Sequence, residues 1–255
     1  MYPIALQLGS FAIRWYGVMA AAGFLLGSMV LFRNKKAAGL DDDKCSNVLL
    51  IAMIAGIVGA RIFYVVQFFP HYRNNLWNII RIDQGGLVFY GGFILAIISI
   101  GIYCKISKID FIRLLDFFTP AIAIAHACGR IGCFLTGCCF GRPATGFLTV
   151  TYPAGSEPNM RYPGCSLTPI QLIEASENII AFFIFYQLAR KTKRGVAMSA
   201  YFISYGVLRF VNEYWRGDNP KIFGLFTPAQ LIGIILIPSG LLLLFYFLKH
   251  EPEKN

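Results

Sequence analysis

The chain has 255 residues, 56% hydrophobic and only 14% charged, with a mean hydropathy of +0.59. A water-soluble domain carries nearer a quarter charged residues, so that class is excluded. The net charge of +10 would raise nucleic acid as a partner in a soluble protein, but here it is explained by basic residues crowded into alternate loops, and no nucleic-acid partner is implied.

Apolar runs of about 20 residues, the length of a membrane-crossing helix, recur in chain order at 11–32, 46–69, 86–104, 117–136, 169–189, 197–214 and 228–248. Barrel-type alternation is absent, and no room remains for a separate soluble domain. The expectation is an all-α integral membrane fold of seven transmembrane helices, with residues 1–255 as one polytopic domain. Arg33, Lys35, Lys36 and Lys44 follow the first run, and Lys105, Lys108 and Arg113 the third. Arg190, Lys191, Lys193 and Arg194 follow the fifth, and Lys249 and Lys254 close the chain. The opposite side has only Arg73, Arg81, Arg142, Arg161, Arg216 and Lys221. This bias puts the N-terminus outside and the C-terminus in the cytoplasm. No basic n-region precedes the first run, so no cleavable signal is expected.

Four arginines interrupt the apolar runs: Arg14, Arg61, Arg130 and Arg209. Each costs at least a few kcal/mol in hydrocarbon unless it is paired or lines a wet cavity. Tyr16, Tyr90, His126, Gln171, Glu174 and Glu213 share those runs. At a rise of about 1.5 Å per residue, this topology places nearly all of them in the outer half of the bilayer. One cavity open to the outer leaflet accounts for that sorting. The planar fork of arginine suits phosphate, and the acids in the outer half look too few to neutralise the arginines there. The alternative is internal pairing: Arg209 and Glu213 are four apart on one helix face, and Glu174 is available for another arginine. Asp116 falls near the cytoplasmic end of the fourth run, as an N-cap or a partner for a loop lysine.

Local motifs add detail. Residues 85–92, GGLVFYGG, present Tyr90 between two glycine pairs, as a re-entrant bend or a close helix contact. In 129–141, GRIGCFLTGCCFG, His126 and Arg130 share a helix face. Cys128, Cys133 and Cys138 are spaced five apart, which scatters them around a continuing helix. That spacing is unlike CxxC ligation, so no metal is expected and the cysteines read as packing residues. Residues 137–167 form the longest polar connection, a lid or docking arm. In TPIQLIE, 168–174, Gln171 and Glu174 share a face.

In order, RWYG (14–17), GARIFYVV (59–66), GGLVFYGG (85–92), DFFTP (116–120), GRIGCFLTGCCFG (129–141), TPIQLIE (168–174), YGVLRFVNEYWRGDNP (205–220) and TPAQLIG (227–233) resemble the bacterial prolipoprotein diacylglyceryl transferases. The resemblance implies seven helices, a periplasmic arm and head, and transfer of the diacylglyceryl group of phosphatidylglycerol to the lipobox cysteine of prolipoproteins, with glycerol phosphate released. The setting it implies is the bacterial inner membrane, with no cofactor. Partners would be phosphatidylglycerol, lipobox peptides and the lipid bilayer. Arg130 and Arg216 match the family's essential arginines, Tyr16 a tyrosine important for activity, Gly141 the glycine closing the signature, and Glu213 the acid beside the second arginine. Tyr90 stands where the family has a histidine proposed as base, and His126 is the other candidate. Arg209, Glu213, Gly141, Gln171 and Glu174 complete the expected lipid-binding set. Cys133, Cys138 and Thr168 replace the family's usual asparagine, glutamate and histidine, so those roles do not carry over. The competing classes are an arginine-lined lipid or anion transporter, against which the lack of an internal repeat counts, and a relative that binds lipid without transferring it.

Overall fold

The computed structural model describes residues 3–9, 11–73, 75–81, 85–219 and 225–250; Lys221 and Lys254, used above for the charge bias, lie outside them. The apolar runs become helices α1 (Trp15–Asn34), α2 (Asp42–Gln67), α3 (Phe89–Ile106), α4 (Phe111–Thr136), α6 (Ile170–Lys191), α7 (Val196–Asn212) and α8 (Pro228–His250), with a one-turn α5 (Glu157–Arg161) in the long connection. Six are long and apolar enough to cross a membrane. The exception is α7, whose 17 residues span about 26 Å, short of a hydrocarbon core of about 30 Å. The apolar surface faces outwards: in α8 only 17% of the most apolar window is buried. Such surface is stable against lipid and not against water.

Two antiparallel hairpins correct the purely helical expectation. β1 (Ile4–Leu8) pairs with β2 (Phe11–Arg14), and β3 (Val150–Thr151) with β4 (Ser166–Leu167). Arg14 therefore ends a strand, exposed, and is not inside the first helix. Gly9 at φ +59° makes the turn, and the backbone N–H of Trp15 donates to Pro3 O at 3.1 Å. Hydropathy alone does not separate a short apolar strand from the helix it runs into.

The chain forms two compact units, residues 34–114 and residues 1–33 with 115–255. In the first, α2 and α3 meet at glycines: a Cβ on Gly92 would lie 2.4 Å from Gly56 O, and one on Gly91 2.5 Å from Gly59 O. Gly85 and Gly86, at φ +79° and +75°, form the bend before α3, so the segment holds both a bend and a close helix contact. Here Arg61 departs from expectation. It is 7% exposed and donates to the carbonyls of Asn78, Ile79, Arg81, Gly85 and Gly86 at 2.6–3.0 Å. It ties the 76–86 connection to α2, and its charge is spent on backbone dipoles instead of a ligand.

In the second unit, α1 approaches α4 closely: a Cβ on Gly23 would sit 2.9 Å from Ala125 O. Likewise α7 meets α8, where a Cβ on Gly233 would sit 2.8 Å from Gly206 O. Asp116 is fully buried in α4 and accepts from the backbone N–H groups of Gly195 (2.7 Å) and Met198 (2.9 Å). The expected cap is real but serves the N-terminus of α7, where a carboxylate also complements the helix dipole. The long connection has a small core of its own, built from Phe140, Tyr152 and Leu167.

Candidate active site

Within that second unit, α4, α6 and α7 bring their polar side chains to one buried cluster. His126 and Arg130 lie one turn apart on α4, Glu174 projects from the second turn of α6, Arg209 from the last turn of α7, and Glu213 follows just beyond it. Glu174 receives two arginines: Arg130 Nε is 2.8 Å from Oε2, and Arg209 Nη1 is 3.2 Å from Oε1. Arg209 Nη1 also meets Glu213 Oε2 at 3.3 Å, the i, i+4 pair the spacing predicts. These side chains are between 1% and 13% exposed, so each charge depends on its partner; removing one partner of a buried pair costs about 3–5 kcal/mol. A small pocket opens beside them, lined in part by His126, Arg130, Glu174, Tyr205 and Arg209.

Arg130 Nε also donates to His126 Nε2 at 3.2 Å. The imidazole lone pair is therefore engaged by a guanidinium. That arrangement suits an orienting residue better than one collecting a proton from a thiol.

Arg216 sits beyond α7, buried, with its fork closed on Asp218 at 3.0 and 2.7 Å. Burial pulls its guanidinium down, but Asp218 and the Cys139 sulfur outweigh that and hold it above its ordinary range. Its backbone is clamped by the signature segment. Gly141 bridges Arg216, Gly217 N donates to Phe140 O at 2.9 Å, Arg142 N to Trp215 O at 2.9 Å, and Arg142 Nε to Arg216 O at 2.9 Å.

Two residues expected to touch lipid make scaffold contacts. A Cβ on Gly141 would lie 2.2 Å from Thr168 O: this glycine permits close backbone approach and sets Arg216. Gln171 is fully buried, donating to Cys138 O at 2.8 Å and exchanging a hydrogen bond with the Tyr152 hydroxyl. It fixes the turn after α4. Tyr16, 48% exposed, lies over Gly132, where a Cβ would be 3.5 Å from its Cδ2. Tyr90, 52% exposed at the start of α3, belongs to the other unit.

Asp218 was missed because it reaches Arg216 only through the turn that follows α7. With it, Glu174, Glu213 and Asp218 balance Arg130, Arg209 and Arg216, so the shortage of acids read from the sequence is corrected. A second miss concerns the cysteines. α4 stops at Thr136, Gly137 turns the chain at φ +78°, and Cys139 itself adopts φ +58°. The sulfurs of Cys133, Cys138 and Cys139 consequently lie within 4.8 Å of one another. The argument that they scatter around a helix fails because the helix ends before Cys138; the glycine before the cysteine pair was the signal.

The family model described as prolipoprotein diacylglyceryl transferase matches residues 3–246. A phosphatidylglycerol–prolipoprotein diacylglyceryl transferase of Clostridium botulinum (strain Langeland) is 35% identical over 252 residues, covering 98% of this chain and 99% of that protein. Proteins of the same name from Clostridium kluyveri and Clostridium tetani are 35% and 31% identical, covering 100% and 94% of this chain and 99% and 96% of theirs. A buried arginine–carboxylate cluster in an apolar helical chain, matched along nearly its whole length, makes this protein a member of the prolipoprotein diacylglyceryl transferase family.

Proposed function

We propose that the chain moves the diacylglyceryl group of phosphatidylglycerol onto the lipobox cysteine thiol of prolipoproteins and releases glycerol phosphate. It does so as one seven-span domain of the bacterial inner membrane, N-terminus outside and C-terminus cytoplasmic, with its site facing the outer leaflet. The reaction is displacement at a saturated carbon, which needs an ionised thiol and a stabilised leaving phosphate. The observation that carries the reading is Arg130 and Arg209 held by the buried Glu174 beside a pocket, with Arg216 held by Asp218.

Arg130 and Arg216 hold the lipid phosphate and neutralise charge as it gathers on the departing oxygen. Glu174 and His126 both meet Arg130 at Nε, and a phosphate is held at its terminal nitrogens. Asp218 occupies the Arg216 fork, so lipid entry exchanges one anion for another. Arg209, tied to Glu174 and Glu213, keeps both acids in register. Tyr16 and Tyr90 orient lipid or thiol through their hydroxyls. The short α7 is accommodated by local thinning of the bilayer at modest cost.

The test is purified full-length protein with phosphatidylglycerol and a lipobox peptide, followed by mass spectrometry. A peptide thioether carrying diacylglyceryl, with an equal yield of glycerol phosphate, is expected. Lipid movement between vesicles with no thioether would assign the chain to transport instead.

A further inference from the structure

Three thiols meet at the turn after α4. Cys133 lies in the last turn of the helix, and Cys138 and Cys139 fold back onto it, all three sulfurs within 4.8 Å. Tetrahedral zinc binds thiolate at about 2.3 Å, which places sulfurs about 3.8 Å apart. The cluster therefore needs only a small closure to become three corners of a tetrahedron. Its position is fixed by the surroundings: Gln171 holds Cys138 O at 2.8 Å, Thr136 Oγ1 lies 3.4 Å from Cys138 Sγ, and the Arg216 guanidinium lies beside the Cys139 sulfur. A residue with a side chain rarely adopts φ near +58°, and Cys139 does so here. Cys133 is buried, while Cys138 and Cys139 are partly open, so a fourth corner has access from outside. Structural zinc sites close that corner; a site with three protein ligands leaves it for a reactant.

We propose that Cys133, Cys138 and Cys139 bind one zinc ion, and that its open position takes the lipobox thiol as a thiolate. This rests on the transferase reading above. Metal ligation deprotonates a thiol outright, which supplies the ionised nucleophile that neither an exposed tyrosine nor an arginine-bound imidazole supplies well. The steps balance without an oxidant. The substrate S–H proton passes to water as sulfur joins zinc. The sulfur then forms its bond to glycerol C3 while the C3–O bond breaks, and that electron pair leaves on the phosphate of glycerol phosphate. The product thioether is a neutral, weaker ligand and vacates the metal. Arg216 lies beside the cysteine cluster and holds Asp218, so nucleophile and leaving group are brought to the same arginine.

The experiment uses full-length protein purified under reducing conditions, loaded with Zn²⁺ or Co²⁺ and freed of excess metal. About one zinc per chain is expected. Cys133→Ser, Cys138→Ser and Cys139→Ser should each lose at least about tenfold in zinc affinity, while Cys165→Ala should bind like the parent. In the cobalt form, a lipobox peptide with cysteine should shift the thiolate-to-metal absorption, and the same peptide with serine should not. Chelation should slow thioether formation by about 100-fold or more, the scale of losing the group that ionises the nucleophile, and zinc should restore it. Full transfer by metal-free protein, unchanged zinc binding in Cys139→Ser, or a disulfide within the cluster in the active enzyme would each overturn the proposal and leave the transferase reading standing. A cobalt spectrum that answers the peptide, with no thioether from the zinc form, would keep the site and remove the transferase reading.

Discussion

Glu174 links two arginines from two other helices, Arg130 on α4 and Arg209 on α7. Such a pair of buried contacts fixes geometry more than it adds stability, because desolvation offsets most of the Coulomb gain. That geometry is what a phosphate clamp needs. Arg130→Ala or Arg216→Ala is expected to lower thioether formation by at least about 100-fold, the scale of losing one preorganised donor, with membrane insertion intact by fractionation. Lysine at either position should rescue poorly, since a two-pronged donor becomes a point charge. Full activity in either alanine variant would remove the clamp. The hydroxyl of Tyr90 and the imidazole of His126 are tested by pH. Tyr90→Phe should lose rate equally at every pH, and His126→Gln, which keeps an acceptor for Arg130 Nε, should keep the parent pH profile. A Tyr90→Phe rate that climbs steeply from neutral to about pH 9, where free thiols ionise, would instead make Tyr90 the base. At this scale the sequence puts Arg130 and His126 on one helix face, and the structure sets Arg130 against Glu174 of another helix. It did not foresee the backbone contacts of Gln171 and Gly141, because a polar side chain or a glycine in an apolar run looks alike whether it meets a ligand or the neighbouring backbone.

At the level of elements, small residues set the packing and one arginine secures a connection. The α2–α3 and α7–α8 pairs meet through glycines whose absent side chains bring backbone within reach of backbone. Arg61 holds five carbonyls of the 76–86 segment. Arg61→Met should therefore destabilise the protein by on the order of 3 kcal/mol, because it strands several acceptors while each lost charged hydrogen bond is worth about 1.5–3 kcal/mol without additivity. The measurements are thermal unfolding in detergent and the rate of proteolysis within 76–86. An unchanged melting temperature with weakened lipid affinity would return Arg61 to the site. Hydropathy found α2 and the arginine in it, but which carbonyls would surround the guanidinium depends on the path of a connection that carries no helical or strand periodicity.

For the whole molecule, the apolar exterior makes a membrane the only stable setting, and the loop charges select an orientation. Cys165 tests that orientation, because it is exposed and lies in the long connection between α4 and α6. A membrane-impermeant maleimide should label it in intact cells with the outer wall opened, and the label should vanish in Cys165→Ala. Labelling that appears only after the membrane is broken would put the connection in the cytoplasm and invert the proposed topology.

The sequence by itself determined the helical class, the approximate bounds of the apolar segments, the family, and the arginines and acids that meet in the cluster. Those properties are one-dimensional: segment length, charge counts between segments, and spacing along a helix of known pitch. Tertiary structure decided the rest. It closed the Arg216 fork on Asp218, turned the carboxylate of Asp116 onto the N-terminus of a distant helix, ended α4 at Thr136, and so gathered three thiols that a continuous helix would have kept apart. The thiol cluster depends on a turn with left-handed residues and the Asp116 contact on segments remote in sequence, while the Arg216 fork closes within one turn whose path no periodicity marks. The free energy of such a contact comes from partners that no local pattern records.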